Sequence, residues 1–486
     1  MEEHKPLLNE QQLRQQQKST WISTRWKVMI YVIINTLGLA ISGSATTQYI
    51  YAYVKSHDSA NNSTGNSNQN HSEIVSQSCT VNGTSDDDIQ AIASDWVWYI
   101  TLAEYGIAIP FIIFVGPMVD RIGRKKILLW NLSVMAISFA MKAVAIYFGL
   151  NLYYFLVGFA VEGFSGTYNT FHIASVSLLA DGTSKGKERT IVLAIYDALL
   201  GFGIFFSYIS TGYLIDFAGY MYPFAISGGI IFFLVILVVF TLNETWKTNK
   251  ETQMSISPGE IFSWCTRSEN ITRSVNYVLM YLLIFFINMM SLSASSSIRI
   301  IYTLSSPFCW SSEYIGWFSG CNDIVVFVGG TIILKVLQIC FKNITDELIV
   351  SIGFVSSVAS LTIFGLSKNN WMLYGAAAAG ILKILPIPLI KAILSRVVHP
   401  DKQGALFSNI YLIETVCQVC ASTLFNNIYH QTVTFYKGFV FFVMAGFPLL
   451  ALIMMRIFIK CAKVASKYQT EIVIERPDIQ KSNKST

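Results

Sequence analysis

Charged residues are scarce in this chain. Only 13% of its 486 residues are Asp, Glu, Lys or Arg, whereas 53% are hydrophobic. Soluble domains carry about a quarter of charged residues, so the composition excludes an ordinary soluble protein and favours a membrane protein. The sequence also lacks a P-loop, a zinc-ligand spacing, a catalytic triad and a nucleotide-binding fingerprint. We therefore predict no enzyme activity, no cofactor and no metal, and ATP-driven transport has no support.

A cleavable signal peptide and a nucleic-acid-binding surface are also missing. Residues 1–24 are polar and Gln-rich, without an apolar core before a small-residue cleavage site, so the first apolar run is expected to remain as a helix. The net charge of +5 lies in short loops between apolar runs, with no continuous basic face. Nucleic acid is therefore excluded as a partner.

Long apolar runs are abundant. A helix crosses a bilayer with about 20 apolar residues, and about twelve runs reach that length: 28–53, 96–118, 126–148, 151–179, 190–214, 221–242, 274–303, 313–338, 347–367, 371–397, 404–429 and 436–460. The polar segment 243–273 divides them into two equal sets. We predict an all-α membrane protein of twelve transmembrane helices in two six-helix bundles, 26–242 and 274–461.

Lysine and arginine accumulate in alternate short loops, and that side of a membrane protein is cytoplasmic. The richer loops include 121–126, 185–189 and 396–402, whereas the opposite side holds few cations. This distribution puts both termini in the cytoplasm, as tails 1–25 and 462–486, together with the linker 243–273.

The first loop on the other side, 55–95, carries signs of an oxidising compartment. It contains a cluster of Asn-x-Ser/Thr acceptors for glycosylation, at Asn61, Asn62, Asn70 and Asn82. Of the eight cysteines, only Cys79 and Cys309 fall in outer loops. The two thiols either form a disulfide between the two halves or remain free.

Ionisable residues inside the spans are costly and are therefore functional candidates. The carboxylates are Glu104, Glu162, Asp197, Asp323 and Glu414, and the cations are Lys142, Arg299, Lys383 and Lys391. A carboxylate in a partly dry cavity can bind and release a proton, so Asp197, Glu162 and Glu414 are proton-coupling candidates. Opposite charges in different helices can instead form structural ion pairs. Lys142 and Arg299 lie close to predicted helix ends and are expected to extend to the interface.

Lys391 is the candidate for holding an anionic substrate. It follows Gly380, Pro386 and Pro388 in the tenth run, and such residues loosen a helix where backbone meets a substrate.

The segment 116–126 is a short basic turn between the second and third runs. It resembles the G-x-x-x-D-R-x-G-R-K-K signature of the major facilitator superfamily, through Gly116, Asp120, Arg121, Gly123 and Arg124. The resemblance implies the major facilitator fold. It also implies that this elbow is cytoplasmic and latches the inner gate in one state.

More specific segments resemble solute carrier family 46, the proton-coupled folate transporter family. They lie at 46–49, 120–124, 304–310, 394–398 and 403–408, and so cover nearly the whole membrane region. The resemblance implies a disulfide between Cys79 and Cys309 and proton coupling at Asp197. Lys391 stands where the family has an arginine, and Leu292 stands where the folate carrier has a histidine, which weakens a folate assignment.

Other segments are similar to the lysosomal member of that family, at 168–171, 194–201 and 414–415. With the segment 46–49, they imply that Gln48, Tyr168 and Asn169 join Lys391 in binding substrate. Near the N-terminus, Glu3, Leu7 and Leu8 have the spacing of an adaptor-read endolysosomal sorting signal.

The sequence thus predicts a secondary active, proton-coupled transporter that works by alternating access. Its partners are a small-molecule substrate, protons, the lipid bilayer and a sorting adaptor. The resemblance implies transport of amphipathic or anionic organic solutes, such as steroid conjugates or muramyl peptides, towards the cytosol from a lysosome or endosome. Two alternatives stay open: plasma-membrane uptake of folate-like anions, and a non-transporting receptor or scaffold.

Overall fold

The computed structural model describes residues 10–62, 83–181, 183, 187–242, 272–341, 345–397 and 403–474. These residues form sixteen α-helices and two π-helical turns, and the described part contains no β-strand. The helices of the first half are α1 (Glu10–Asn62), α2 (Gly83–Thr101), α3 (Ile107–Ile122), α4 (Arg124–Tyr147), α5 (Leu152–Phe164), α6 (Thr167–Asp181), α7 (Lys187–Ala218) and α8 (Met221–Thr241). Those of the second half are α9 (Thr272–Leu304), α10 (Ser312–Ile324), α11 (Gly330–Cys340), α12 (Asp346–Leu366), α13 (Asn370–Ala379), α14 (Pro386–Val397), α15 (Gln403–Thr432) and α16 (Phe439–Ile474).

Nine helical segments among the described residues are long and apolar enough to cross a membrane, and all nine coincide with predicted runs. The all-helical membrane class is therefore confirmed. The other three predicted runs are 151–179, 371–397 and 404–429. The first two are interrupted in the structure, and the third forms α15, which carries many amide and hydroxyl side chains. The count of twelve spans and the cytoplasmic position of the termini stay predictions.

Helices also extend into the predicted outer loop 55–95 from both sides, because α1 continues to Asn62 and α2 begins at Gly83. The predicted linker lies almost wholly outside the described residues, and α9 begins at Thr272.

The fourth predicted run breaks between α5 and α6. Gly166 and Thr167 have left-handed backbone angles, with φ of 73° and 57°, which an α-helix cannot accommodate. The break frees carbonyl groups inside the bundle, where they need a partner. Asn131 of α4 supplies it, because its Nδ2 donates to the carbonyls of Ser165 and Thr167 at 3.0 and 2.8 Å.

The tenth predicted run breaks between α13 and α14, in agreement with its glycine and prolines. Hydrogen-bonded turns connect Ala379 to Pro386. Ser356 of α12 stabilises the break, since its Oγ donates to the Ala379 carbonyl at 2.6 Å and accepts from the Leu382 amide at 3.2 Å. The interruption leaves Lys383 in the turns and Lys391 in α14.

The two halves meet along two pairs of elements. Helix α7 packs against α10, and the continuous helix formed by α2 and α3 packs against α15. The α7–α10 crossing is close, because a Cβ atom added to Gly316 would lie 2.5 Å from the backbone oxygen of Tyr208. Small residues allow such backbone proximity between membrane helices.

The halves are closed against each other at the end where α1 ends and α2 begins, which we call the loop end. Asp86 of α2 accepts hydrogen bonds from Tyr51 Oη at 3.0 Å, from the Ser306 amide at 3.2 Å and from Lys437 Nζ at 3.2 Å. Lys437 also pairs with Asp87 at 2.9 Å. Because Ser306 and Lys437 belong to the second half, these bonds join the two halves.

Candidate substrate and proton site

A buried ion pair lies in the second half, on two helices that follow each other in the chain. Lys391 Nζ of α14 is 2.6 Å from Glu414 Oε1 of α15, with 22% and 8% of the two side chains exposed. The ammonium group also lies over the ring of Tyr411, 5.0 Å from its centroid. The pair and the ring together offset the loss of hydration that burial of the charges costs.

Asp197 comes to this pair from the other half, on α7. Its carboxylate interacts electrostatically with both Lys391 and Glu414. The Asp197 side chain is accessible although many residues surround it, which is typical of a carboxylate that faces an internal cavity. Asp197 therefore adds a second carboxylate to the electrostatic surroundings of the Lys391 ammonium group, from the other half.

Polar and aromatic side chains of α6 face the same region. His172 Nδ1 forms a short hydrogen bond with Tyr196 Oη, and its ring stacks on Tyr411 at 6.4 Å between centroids. Asn169 Nδ2 donates to Thr415 Oγ1 at 2.8 Å, which is a contact between the halves. Asn169 Oδ1 is buried and has no hydrogen-bond partner among the described residues. Such an unsatisfied atom indicates a place for water or substrate.

The other predicted substrate residues lie nearby or on facing helices. Tyr168 interacts with Glu414 and contacts His172 edge to face. Gln48 of α1 is buried, and its Oε1 has no partner in the part of the chain that the structure describes. Asn288 of α9 has both side-chain atoms unpaired in that same part. His172 and Asn288 are not among the predicted site residues, because their only signal in the sequence is a polar residue inside an apolar run.

Glu162, the third predicted proton carrier, is not part of this group. It lies in the first half, where it forms a short ion pair with Lys142 of α4. The prediction that Lys142 extends to the membrane interface is wrong: its side chain is completely buried, and its Nζ lies 3.4 Å from the centroid of the Phe159 ring. An available carboxylate made burial less costly than extension to the interface.

The basic elbow is a turn of one residue. Helix α3 ends at Ile122 and α4 begins at Arg124, with φ of 102° at Gly123 between them, a value that favours glycine. Arg124 is buried, and Lys125 Nζ donates to the Val239 carbonyl at 2.9 Å. Gly116, Asp120 and Arg121 lie in α3, but their side chains are outside the described part, so the gate latch stays a prediction.

Several predicted features fall at or beyond the edge of the described residues. Cys309 is disulfide-bonded, and its predicted partner Cys79 lies outside them. Asn61 and Asn62 end α1. The predicted glycosylation acceptors Asn70 and Asn82 also lie outside the described part, as do the predicted sorting residues Glu3, Leu7 and Leu8.

Two helical halves, closed together at one end around polar groups that both contribute, define a membrane transport protein of the alternating-access class. Residues 97–305 match the Major Facilitator Superfamily. The rat proton-coupled folate transporter is 23% identical over 85% of this chain and 88% of its own length. The human lysosomal proton-coupled steroid conjugate and bile acid symporter SLC46A3 is 26% identical, over 88% of this chain and 93% of its own.

Solved structures have the same fold. The human organic anion transporter MFSD10 superposes with a TM-score of 0.62 at 13% identity, over 89% of this chain and 99% of that one. The POT family transporter PepTSo gives a TM-score of 0.62 at 14% identity, over 90% of this chain and 98% of that one. The match over residues 97–305 and the curated relatives confirm the predicted resemblance to the major facilitator superfamily and to solute carrier family 46.

Proposed function

We propose that this chain is a proton-coupled secondary transporter that moves amphipathic organic anions towards the cytosol. The observation that carries the proposal is the shared site of Asp197, Lys391 and Glu414, in which two carboxylates face one ammonium group. One carboxylate has no cation of its own there, and a proton can neutralise it at low cost. The similar family members are named as proton-coupled transporters, which supports the same reaction class.

The three residues supply a two-state mechanism. While Lys391 is paired with Glu414, as in this structure, a proton on Asp197 leaves the group electrically neutral. When Asp197 releases its proton, its carboxylate competes for the same ammonium group, and the competition spans the boundary between the halves. Proton binding and release therefore change the electrostatic attraction between α7 and α14, and this change biases the halves towards one of two arrangements.

Direction and compartment follow from the same proposal. An acidic lumen supplies protons to the loop end, and the neutral cytosol removes them. We infer a lysosomal or endosomal membrane, reached through an adaptor that binds the dileucine signal at Glu3, Leu7 and Leu8. Folate-like uptake at the plasma membrane is the second candidate, favoured by the similarity to the folate transporter and disfavoured by Leu292 in place of histidine.

Purified protein in sealed vesicles tests the function. A steroid sulfate, a bile acid, a muramyl peptide and folate are offered with the outside acidic and the inside neutral. We expect accumulation of at least one conjugated sterol, and its loss when a protonophore collapses the gradient. Accumulation of folate alone supports the second candidate. Flux that does not depend on the proton gradient contradicts proton coupling. Absence of flux for all the anions would support a receptor.

A further inference from the structure

Two cations in the second half form no ion pair with a carboxylate among the described residues. Arg299 lies on α9, and Lys383 lies in the turns between α13 and α14. Among the described residues neither forms an ion pair, whereas the intramembrane lysines Lys142 and Lys391 are both paired. Buried cations normally have a partner, because loss of hydration is costly.

The two unpaired cations are close enough to repel each other electrostatically. Asp323, beside the second π-helical turn, interacts with Lys383 and with the neighbouring Tyr208. Asn322 Nδ2 donates to Asp323 Oδ1 at 2.7 Å. One acid against two basic groups gives a formal charge of about +1 when both basic groups are protonated, and a single anion balances that charge.

Hydroxyl groups line the space next to both cations. One cavity is bordered by Arg299 and Lys383 together with Ser291, Ser295, Ser357 and Ser360. Ser291 and Ser357 are almost completely buried, and their Oγ atoms have no hydrogen-bond partner among the described residues. Free hydroxyl donors beside an arginine and a lysine are the groups that hold a carboxylate or sulfate.

Arg299 also borders a second cavity, which reaches the first half. That cavity is lined by Tyr208 of α7 and by Trp310 and Phe318 of the second half, with Ser296 and Thr303. The Arg299 guanidinium group also lies over the ring of Phe364, with 5.6 Å between Cζ and the ring centroid. The cations are therefore next to flat apolar side chains, which suit the hydrocarbon body of an amphipathic molecule.

In this closed arrangement each cavity has room for about one water molecule. The second cavity lies at the contact of α7 with the second half, so separation of the halves at the loop end widens it. Arg299 borders both cavities, and their union would place the cations at the inner end of an apolar cleft that is open at the loop end.

We propose that Arg299 and Lys383 form the site that binds the acidic group of an amphipathic organic anion, a carboxylate or a sulfate ester, while its hydrocarbon body lies against Tyr208, Trp310 and Phe318. This assignment rests on the proposed transport of organic anions and names the residues that select them. On this assignment, Lys391, Asp197 and Glu414 couple proton binding to transport. Arg299 and Lys383 bind the acidic group of the substrate.

Ligand-dependent thermal stabilisation of the detergent-purified chain tests the site without a proton gradient. The probes are estrone sulfate, estrone and inorganic sulfate. We expect estrone sulfate to stabilise the unmodified protein most strongly. Arg299→Gln and Lys383→Met should each weaken its apparent affinity about tenfold to hundredfold, the loss expected for one charge-assisted hydrogen bond. Arg299→Lys should retain most of the affinity, and all variants should bind estrone equally.

Lys335→Met is the matched control, because Lys335 is an exposed lysine on α11, and it should change nothing. Equal estrone sulfate affinity in the unmodified protein, Arg299→Gln and Lys383→Met would overturn the site, as would no stabilisation of the unmodified protein. Melting temperatures without ligand show whether a variant is folded. If Arg299→Gln is misfolded, the estrone sulfate affinity of Lys383→Met tests the site instead. Asp197→Asn should bind estrone sulfate normally but lose proton-driven flux. Proton-driven flux that persists in Asp197→Asn would contradict the proposed transport mechanism and leave the binding site untouched.

Discussion

Replacement of Lys142 by methionine is expected to lower the free energy of unfolding by about 3–5 kcal/mol. The ammonium group is completely buried, pairs with Glu162 and lies over the Phe159 ring. Methionine keeps most of the volume, but in the described part of the chain it leaves the buried Glu162 carboxylate with only Ser138 Oγ, at 3.2 Å, as a side-chain donor. An uncompensated buried carboxylate costs more than the lost attraction itself.

The matched variant is the double substitution Lys142→Met with Glu162→Gln. It removes both charges, so most of the lost stability should return, because paired removal of buried charges is often close to neutral. Unfolding in mixed micelles of increasing SDS content measures both proteins. If the free energy of unfolding of Lys142→Met lies within about 1 kcal/mol of that of the unmodified protein, the ion pair does not stabilise the fold. Glu162 would then be available for proton coupling.

Replacement of Lys391 by methionine is expected to reduce proton-driven accumulation about 5- to 150-fold, because the coupling between proton binding and the arrangement of the halves is lost, and such a coupling is worth about 1–3 kcal/mol. Without the ammonium group, Glu414 and Asp197 face each other uncompensated. A proton then neutralises the repulsion in both arrangements of the halves, so its binding no longer favours one of them. Initial rates of accumulation in vesicles, at equal protein content, measure the effect.

Lys391→Arg is the matched control, since it keeps the positive charge of the side chain. It should retain a large part of the transport rate. Lys391→Met with Glu414→Gln should restore protein stability but not accumulation. Full accumulation by Lys391→Met would remove this residue from the mechanism.

The sequence was sufficient for the fold class because hydropathy reports it directly. The third apolar run, predicted at 126–148, is the helix Arg124–Tyr147. The break at Gly166 was not predictable in the same way, because it depends on left-handed backbone angles and on Asn131, some 35 residues away in the chain. Hydropathy averages over such a break.

The candidate site was predictable only as a set of residue types. Lys391, Glu414 and Asp197 were selected because charges inside a membrane are costly, and the structure brings these three together. The partner of Lys142 and the isolation of Arg299 and Lys383 could not be deduced. These helices carry apolar residues on all of their faces, so their sequences do not indicate which face is turned towards a neighbouring helix.

The central claim is that Asp197 carries the transported proton, and substrate-evoked proton movement tests it most directly. Vesicles that contain a pH-sensitive dye receive a transported sterol conjugate without an imposed gradient. The unmodified protein should acidify the interior as substrate enters, whereas Asp197→Asn should exchange labelled for unlabelled substrate with no pH change. Acidification by Asp197→Asn at the normal rate would contradict the account.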